Sequence, residues 1–246
     1  MRRLAIAFLL FSISASAQQL PPVSTTVVPV VGSTFGVAMA RWLTDVELIN
    51  DTGFPADVAI ELSSVPDAPV FFLTLGPGQR QRFTDIVGQA FGLESAISPL
   101  RVTTGGRRSV TVRANAYAVG GEGVSPMQTL GVYGAQTWFP IRVLDNLAFS
   151  DQLRTNIGLA NLGDQDADFL LALQRVPGRN VAITHRRVGP GSLHHMSIQS
   201  LFPLITQGDG FSVVIETGSR DTHVYASVIR NSDNGASFIV PRLGTR

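Results

Sequence analysis

The chain contains no cysteine and no lysine, and only 15% of its residues are charged. Without cysteine, no disulfide can stabilise the fold and no lipid can be attached to a thiol. Its 19 basic residues are all arginines and nearly balance 18 acidic residues. This balance argues against nucleic-acid binding, which depends on clustered positive charge. The scarcity of charge also leaves few candidates for acid–base catalysis.

Long apolar runs are scarce as well, and the clearest one lies at the start of the chain. Leu4–Phe11 follows two arginines and precedes the small residues Ser14–Ala17. A basic start, a short apolar run and a small-residue site are the three parts of a secretory signal. The run is shorter than the roughly 20 residues that span a bilayer. We therefore expect a signal peptide over residues 1–17, cleavage after Ala17, a secreted or periplasmic location and no stable membrane insertion.

The chain does contain an internal repeat. Residues 29–66 align with residues 140–177 without a gap at an offset of 111, and later turns align at an offset of 113. Two copies of about 110 residues have the size of two small domains. The predicted organisation is a signal peptide at 1–17, a loose leader at 18–28, repeat 1 at 29–139 and repeat 2 at 140–246.

Apolar and polar residues alternate through both copies, as in Asp45–Leu48. Such alternation predicts half-buried antiparallel strands. Clusters of Gly, Pro, Asn and Asp interrupt the strands about every ten residues, as in β-sandwiches. One segment in each copy, Thr84–Phe91 and Ser197–Phe202, predicts instead a short helical turn between two sheets. We therefore expect an all-β protein of two tandem immunoglobulin-like β-sandwich domains.

Three motifs recur in order: a strand ending in Leu-x-Asn, a Gly-Pro-Gly turn and an Asp-Ile-x-Gly segment. The first copy carries them in Thr44, Asp45, Leu48, Asn50, Gly76, Pro77, Gly78, Asp85, Ile86 and Gly88. The second carries Thr155, Asn156, Leu159, Asn161, Gly189, Pro190 and Gly191, with Ser197–Ser200 in place of the third motif. In this order the motifs resemble the tandem immunoglobulin-like β-sandwich repeats of uncharacterised secreted bacterial proteins. The resemblance implies a fold and export, and it implies no reaction and no catalytic residue.

The histidines provide no metal site. All four lie in the second copy, namely His185, His194, His195 and His223. A metal site needs side chains that converge, whereas neighbours on a strand, such as His194 and His195, point to opposite faces. Separate surface or rim histidines are the better interpretation, so we predict no metal site and no cofactor.

An acidic turn and a serine are the other candidates. Asp164, Asp166 and Asp168 alternate as in a calcium loop, but Phe169 and Arg175 stand where an EF-hand has Gly and Glu. A polar hairpin turn is the better interpretation, and weak calcium binding stays an alternative. Ser192 follows Gly-Pro-Gly but lacks the second glycine and the helix of a nucleophile elbow. We predict no catalytic residue.

Large aromatic residues are the most suggestive feature, because they fall at strand ends or in adjacent pairs. Phe71 and Phe72 cannot both face one core, so one must face solvent, the other domain or a partner. The other aromatics of this kind are Trp42, Tyr133, Trp138, Phe139 and Tyr225. Packing between the domains is the first interpretation, and partner binding is the alternative. The junction around Trp138 has no Gly or Ser spacer, which predicts a rigid pair of domains.

These features predict a non-enzymatic exported binding or structural module. Its expected partner is another exported or cell-surface protein, or a surface polysaccharide, and not a nucleic acid. One alternative is a periplasmic chaperone-like protein that binds clients by adding a strand to a sheet edge. A second alternative is a carbohydrate-binding or hydrolytic protein.

Overall fold

The computed structural model describes residues 23–36, 40–105, 110–120, 123–134, 139–176, 179–205 and 207–244. The predicted signal peptide and Trp138 lie outside these ranges. The first half of the molecule comprises β1 (Val23–Phe35), β2 (Arg41–Ile49), β3 (Ala56–Leu62), β4 (Phe71–Leu75), β5 (Arg80–Phe83), α1 (Ile86–Phe91), β6 (Ala96–Gly105), β7 (Thr111–Gly120), β8 (Gly123–Val124), β9 (Gln128–Thr129) and β10 (Tyr133–Gly134). The second half comprises β11 (Ile141–Phe149), β12 (Leu153–Asn161), β13 (Ala167–Val176), β14 (Arg179–Val188), β15 (Ser192–Ser197), α2 (Ile198–Leu201), β16 (Gly208–Glu216), β17 (Thr222–Arg230), β18 (Ala236–Ile239) and β19 (Arg242–Leu243).

The strands form several antiparallel sheets, so the prediction of an all-β protein is confirmed. The first half is one ten-stranded sheet whose main path is β4-β3-β6-β1-β2-β7-β8. The second half has a five-stranded sheet, β14-β13-β16-β11-β19, and a four-stranded sheet, β15-β12-β17-β18. Neighbour relations recur between the halves. β3 lies between β4 and β6 as β13 lies between β14 and β16, and β2 lies between β5 and β7 as β12 lies between β15 and β17.

Each half has its own hydrophobic core. Inward-facing residues of β1, β2, β3, β6 and β7 form one cluster with α1, and the corresponding strands form a second cluster with α2. The predicted inward phase is confirmed at Leu48, Leu62, Leu159 and Leu173, which are at most 5% exposed. The two helical turns are also where the sequence places them. Asp85 caps α1 by accepting from the Gly88 amide at 3.1 Å, and Ser197 caps α2.

Two strands carry buried residues on both faces, contrary to the half-buried prediction. In β2, Asp45 and Ile49 are as buried as the core residues Val46 and Leu48, although Glu47 on the same outer face is partly exposed. In β17, His223 and Tyr225 are buried on the face opposite to the core. At His223 the reason is tertiary packing, because the Tyr133 ring of the first half lies 5.3 Å from the His223 ring, whereas Asp45 is paired with Arg82 of β5.

The gapless alignment fails for the first strand of each copy. Val28 pairs with Leu100 in the first half, and the equivalent pair in the second half is Leu144 with Val213. The offset between β1 and β11 is therefore 116 (144 − 28), rather than 111. Both strands carry a register shift at this place, which supports the equivalence. The loose leader predicted at 18–28 is also wrong from Val23 onward, because β1 begins there.

The first half thus has five extra residues between Val28 and Leu48, distributed over the end of β1, the connection and the start of β2. They lengthen the pairing of β1 with β2, in which Ser33 lies opposite Leu43 and Phe35 lies opposite Arg41. In the second half, β11 instead leads into β12 through a tight turn closed by the Ser150 amide and the Leu153 carbonyl at 2.8 Å. The longer pairing joins the sheets of the first half into one.

A buried asparagine organises the same turn in each half. Asn50 Nδ2 donates to the carbonyls of Phe54, Leu75 and Gly76 at 2.7–3.1 Å. Asn161 Nδ2 donates at 2.7–3.0 Å to the equivalent carbonyls, those of Gln165, Val188 and Gly189. The last glycine of each Gly-Pro-Gly turn has a positive φ, 69° at Gly78 and 59° at Gly191, which explains the glycine.

Within the described ranges, no helix is long and apolar enough to cross a membrane.

Candidate functional site

A cleft lies where the first half meets the outer face of the β15-β12-β17-β18 sheet. Its volume is about 370 Å³, which is in the range of small-molecule sites. The first half contributes residues of β1, β2, β6 and β7 together with Gln128 and Leu130. The second half contributes Arg154, Asn156, His195, Tyr225, Ser227, Ile229 and Phe238.

The long β1–β2 pairing builds one wall of this cleft. Thr34 lies opposite Trp42, and both residues line the cavity. The Trp42 indole packs directly on Gly36, where a Cβ atom would lie 2.7 Å from the indole Nε1. Gly36 in turn donates its amide to the Ala40 carbonyl at 2.7 Å. A side chain at position 36 would therefore displace the indole, and the wall depends on residues that the second half lacks.

Tyr225 forms the opposite wall. Its ring lies over Gly158, the residue paired with it on β12, and a Cβ atom there would lie 2.0 Å from the ring. The ring also stacks on Phe238, with centroids 5.2 Å apart and planes inclined by 16°. Its hydroxyl lies 2.8 Å from His195 Nδ1. Tyr225 is only 1% exposed, so it shapes the wall as a fixed element.

The Tyr225–His195 pair is neutral at physiological pH. Burial raises the pKa of Tyr225 far above its ordinary value, so the phenol keeps its proton. Surrounding protein atoms lower the pKa of His195, although the residue keeps solvent-exposed surface at the cleft. One of these two groups donates the hydrogen bond to the other, and the imidazole tautomer decides which of them is the donor.

Arg154 gives the cleft its charge. Its Nη1 and Nη2 atoms donate to the side-chain oxygens of Asn231 at 2.7 Å and Asn234 at 2.8 Å. Both partners are neutral, and no ion pair between described residues includes Arg154. Desolvation lowers the pKa of Arg154, yet a guanidinium stays protonated at neutral pH. No Asp or Glu is among the described residues that line the cleft.

The equivalent positions of the first half have a different chemistry. Gly158 pairs with Tyr225 and His195 on its two neighbouring strands, whereas Glu47 pairs with Arg113 and Arg82. The two arginines are solvent-exposed, and Arg113 forms an ion pair with Glu47 at 3.5 Å. The aromatic face of the second half is therefore covered by the first half, while the charged face of the first half is open to water. Gly158 stands where the matching strand of the first copy has Glu47. This difference between the copies is the sequence signal that could have indicated the site.

The histidines predicted as separate surface residues occupy four different environments. His194 and His195 do point to opposite faces of β15, since they pair with neighbouring residues of β12. His185 is exposed on β14 and lies 3.4 Å from Asp168. His223 is buried, so the surface assignment was wrong for this residue. Among the described residues, no group of three potential metal ligands converges.

The acidic turn is held by protein partners. Asp166 pairs with Arg187, whose Nε lies 2.8 Å from its carboxylate, and Asp168 faces His185 on the same neighbouring strand. Asp164 is exposed. The Ser192 hydroxyl donates to the Pro190 carbonyl at 3.1 Å, within its own turn. The structure therefore brings none of these residues to the cleft.

Among the aromatic residues, the adjacent pair divides as expected. Phe71 packs edge-on against Phe83 at 5.7 Å, and Phe72 is 73% exposed on β4. Tyr225, for which packing between the domains was the first interpretation, is buried, and Gly158 leaves room for its ring.

Comparison with known proteins provides no further guide to this site. The chain matches no protein-family model, and the search of curated proteins found no match.

Proposed function

We propose that this chain is an exported, non-enzymatic binding protein built from two tandem immunoglobulin-like β-sandwich domains. Its ligand is a small amphipathic anion that occupies the cleft between the two halves. The domain interpretation is supported by the recurring strand neighbours, by the two hydrophobic cores and by the matched asparagines Asn50 and Asn161.

The observation that carries the proposal is the charge of the cleft. Aromatic and aliphatic side chains, among them Trp42 and Phe238, supply most of its surface, and Arg154 supplies a cation whose partners among the described residues are neutral amides. An apolar ligand body fits the first feature, and a carboxylate or sulfonate group fits the second. The hydroxyl and amide groups of Ser227 and Asn156 add polar contacts along the same wall.

A pair of fluorescent probes tests this proposal. 8-Anilinonaphthalene-1-sulfonate carries an aromatic body and a sulfonate, and N-phenyl-1-naphthylamine has the same body without the charge. The folded protein should bind the sulfonate with saturation and one site per chain. Arg154→Gln should weaken sulfonate binding about tenfold or more, because a charge-assisted hydrogen bond contributes roughly 1.5–3 kcal/mol. The same variant should bind the neutral probe as the wild type does.

The control is Arg80→Gln, which removes an exposed arginine that does not line the cleft. It should change neither affinity. Equal sulfonate affinity in the wild type and Arg154→Gln would contradict the proposal. So would a loss of sulfonate binding as large in Arg80→Gln as in Arg154→Gln, since both effects would then reflect net charge alone.

Export is tested separately. Mass spectrometry of the protein recovered outside the cytoplasm should give Gln18 as the first residue, free or cyclised. An intact form that begins at Met1 and stays with the membrane would contradict cleavage after Ala17.

A second candidate function, strand addition, is favoured by β14. This ten-residue strand lies at the end of its sheet, and its residues Val181 and Ile183 are solvent-exposed. An exposed sheet edge can pair with an extended segment of another exported protein. Capture of unfolded exported subunits in a pull-down would support this candidate. The variant Ile183→Pro should abolish that capture by removing a backbone donor from the strand.

A further inference from the structure

A second polar site lies apart from the cleft, around Arg142 of β11. This arginine is 4% exposed. Its Nη1 donates to the Thr222 carbonyl at 2.7 Å, and its Nη2 lies 2.6 Å from Thr222 Oγ1. Among the described residues, its Nε has no hydrogen-bond partner, and no acidic side chain pairs with the guanidinium. Burial lowers its pKa to about 10, so the guanidinium is charged at neutral pH.

A buried charge is normally compensated, and here the neighbouring groups do not compensate it. Tyr133, Phe139 and His223 border the same small cavity, whose volume is about 50 Å³. The Tyr133 hydroxyl is buried and has no hydrogen-bond partner among the described residues. Burial raises the pKa of Tyr133 to about 12, so the hydroxyl keeps its proton. Burial and the charge of Arg142 lower the pKa of His223 to about 4, so the imidazole is neutral.

The cavity is therefore bordered by two unused donors, the Nε–H of the Arg142 cation and the hydroxyl of Tyr133, and it contains no negative charge from the described side chains. We propose that it binds a chloride-sized monovalent anion, held by the Nε–H of Arg142 and the hydroxyl of Tyr133. A cavity of about 50 Å³ has room for a small group on the order of a water molecule or a halide. Water could satisfy the donors, but it would leave the guanidinium charge uncompensated.

The anion also joins the two halves. Tyr133 lies on β10, which pairs with β1 of the first half, whereas Arg142 and His223 belong to the second half. An anion between these residues is bound only in the native arrangement, so it should raise the stability of the whole chain by mass action.

Thermal unfolding in sodium chloride and in sodium gluconate of equal ionic strength tests the proposal. Chloride and bromide should raise Tm in a saturable way, by about 5 °C or more at one hundred times the dissociation constant. Gluconate, which is too large for the cavity, should have no saturable effect. Sulfate should behave as gluconate does.

Tyr133→Phe keeps the ring and removes the donor, so it should raise the chloride concentration at half effect about tenfold. Tyr117→Phe is the matched control, because the Tyr117 hydroxyl donates to the Thr84 carbonyl elsewhere on the surface. A crystal grown in bromide should show an anomalous peak within hydrogen-bond distance of Arg142 Nε. Equal stabilisation by chloride and gluconate, an unchanged response in Tyr133→Phe, or water in place of the bromide peak would each overturn the proposal.

Discussion

Replacing Asn161 with alanine should remove the centre of a buried turn. The side chain is 1% exposed and connects three carbonyls through Nδ2, while its Oδ1 accepts from the Gly163 amide at 3.0 Å. Each hydrogen bond contributes about 1 kcal/mol net, and alanine leaves the buried Val188 carbonyl without this donor. The expected loss of unfolding free energy is therefore about 3–4 kcal/mol, or a fall in Tm on the order of 10 °C.

The assay is urea unfolding followed by circular dichroism, with hydrogen exchange at the Gly163 amide as a local reporter. Asn50→Ala should cause a similar loss, because Asn50 binds the equivalent carbonyls at similar distances. Asn180→Ala is the control, since this residue is exposed on β14 and its removal should cost less than about 0.5 kcal/mol. A loss below about 1 kcal/mol in both turn variants would refute the hydrogen-bond reasoning. A large loss in only one of them would refute the structural equivalence of the two turns.

Three further predictions concern packing and pH. Leu159→Ala should cost about 2–5 kcal/mol in chemical unfolding, whereas Glu61→Ala on an outer strand face should cost less than about 0.5 kcal/mol; equal losses would contradict the assigned strand phase. Gly158→Ala should displace the Tyr225 ring and alter its near-ultraviolet circular dichroism, and an unchanged spectrum would contradict the packing. The folded-state pKa of His223 is about 4, below the ordinary 6.5, so its contribution to stability is complete above pH 6.5 and declines as pH falls toward 4, by up to about 1.4 kcal/mol per pH unit. His223→Gln should remove this component of the pH dependence, and an identical pH profile in that variant would argue against a neutral buried imidazole.

Local sequence patterns predicted much of the fold, because strand faces, turns and helix caps each depend on residues that are close together in the chain. Alternation places Leu48 and Leu159 inside, since successive strand residues face opposite sides. The Gly-Pro-Gly turns were predicted from their glycines, and positive φ at Gly78 and Gly191 gives the reason. The short helices were predicted from a cap followed by helical spacing, and Asp85 and Ser197 are the capping residues.

The candidate site could not be predicted in the same way, because its residues are distant in sequence and differ between the copies. Trp42 and Tyr225 come to opposite walls of one cleft only after the halves pack together. The gapless alignment also concealed the five extra residues between Val28 and Leu48, because the offset of 111 follows from the closely matching segments from Thr44 onward and not from the first strand. That insertion builds the wall that carries Trp42.

The order of residues alone determines the strands, their inward faces, the matched turns and the presence of two copies, because each of these depends on neighbours along the chain. Tertiary structure decides which face of each copy is covered. Arg113 and Tyr225 occupy equivalent strand positions, yet one is open to water and the other is buried against Gly158 and Phe238. The burial of Arg142 beside Tyr133 is also decided by tertiary structure, because contacts between the halves remove the guanidinium from water.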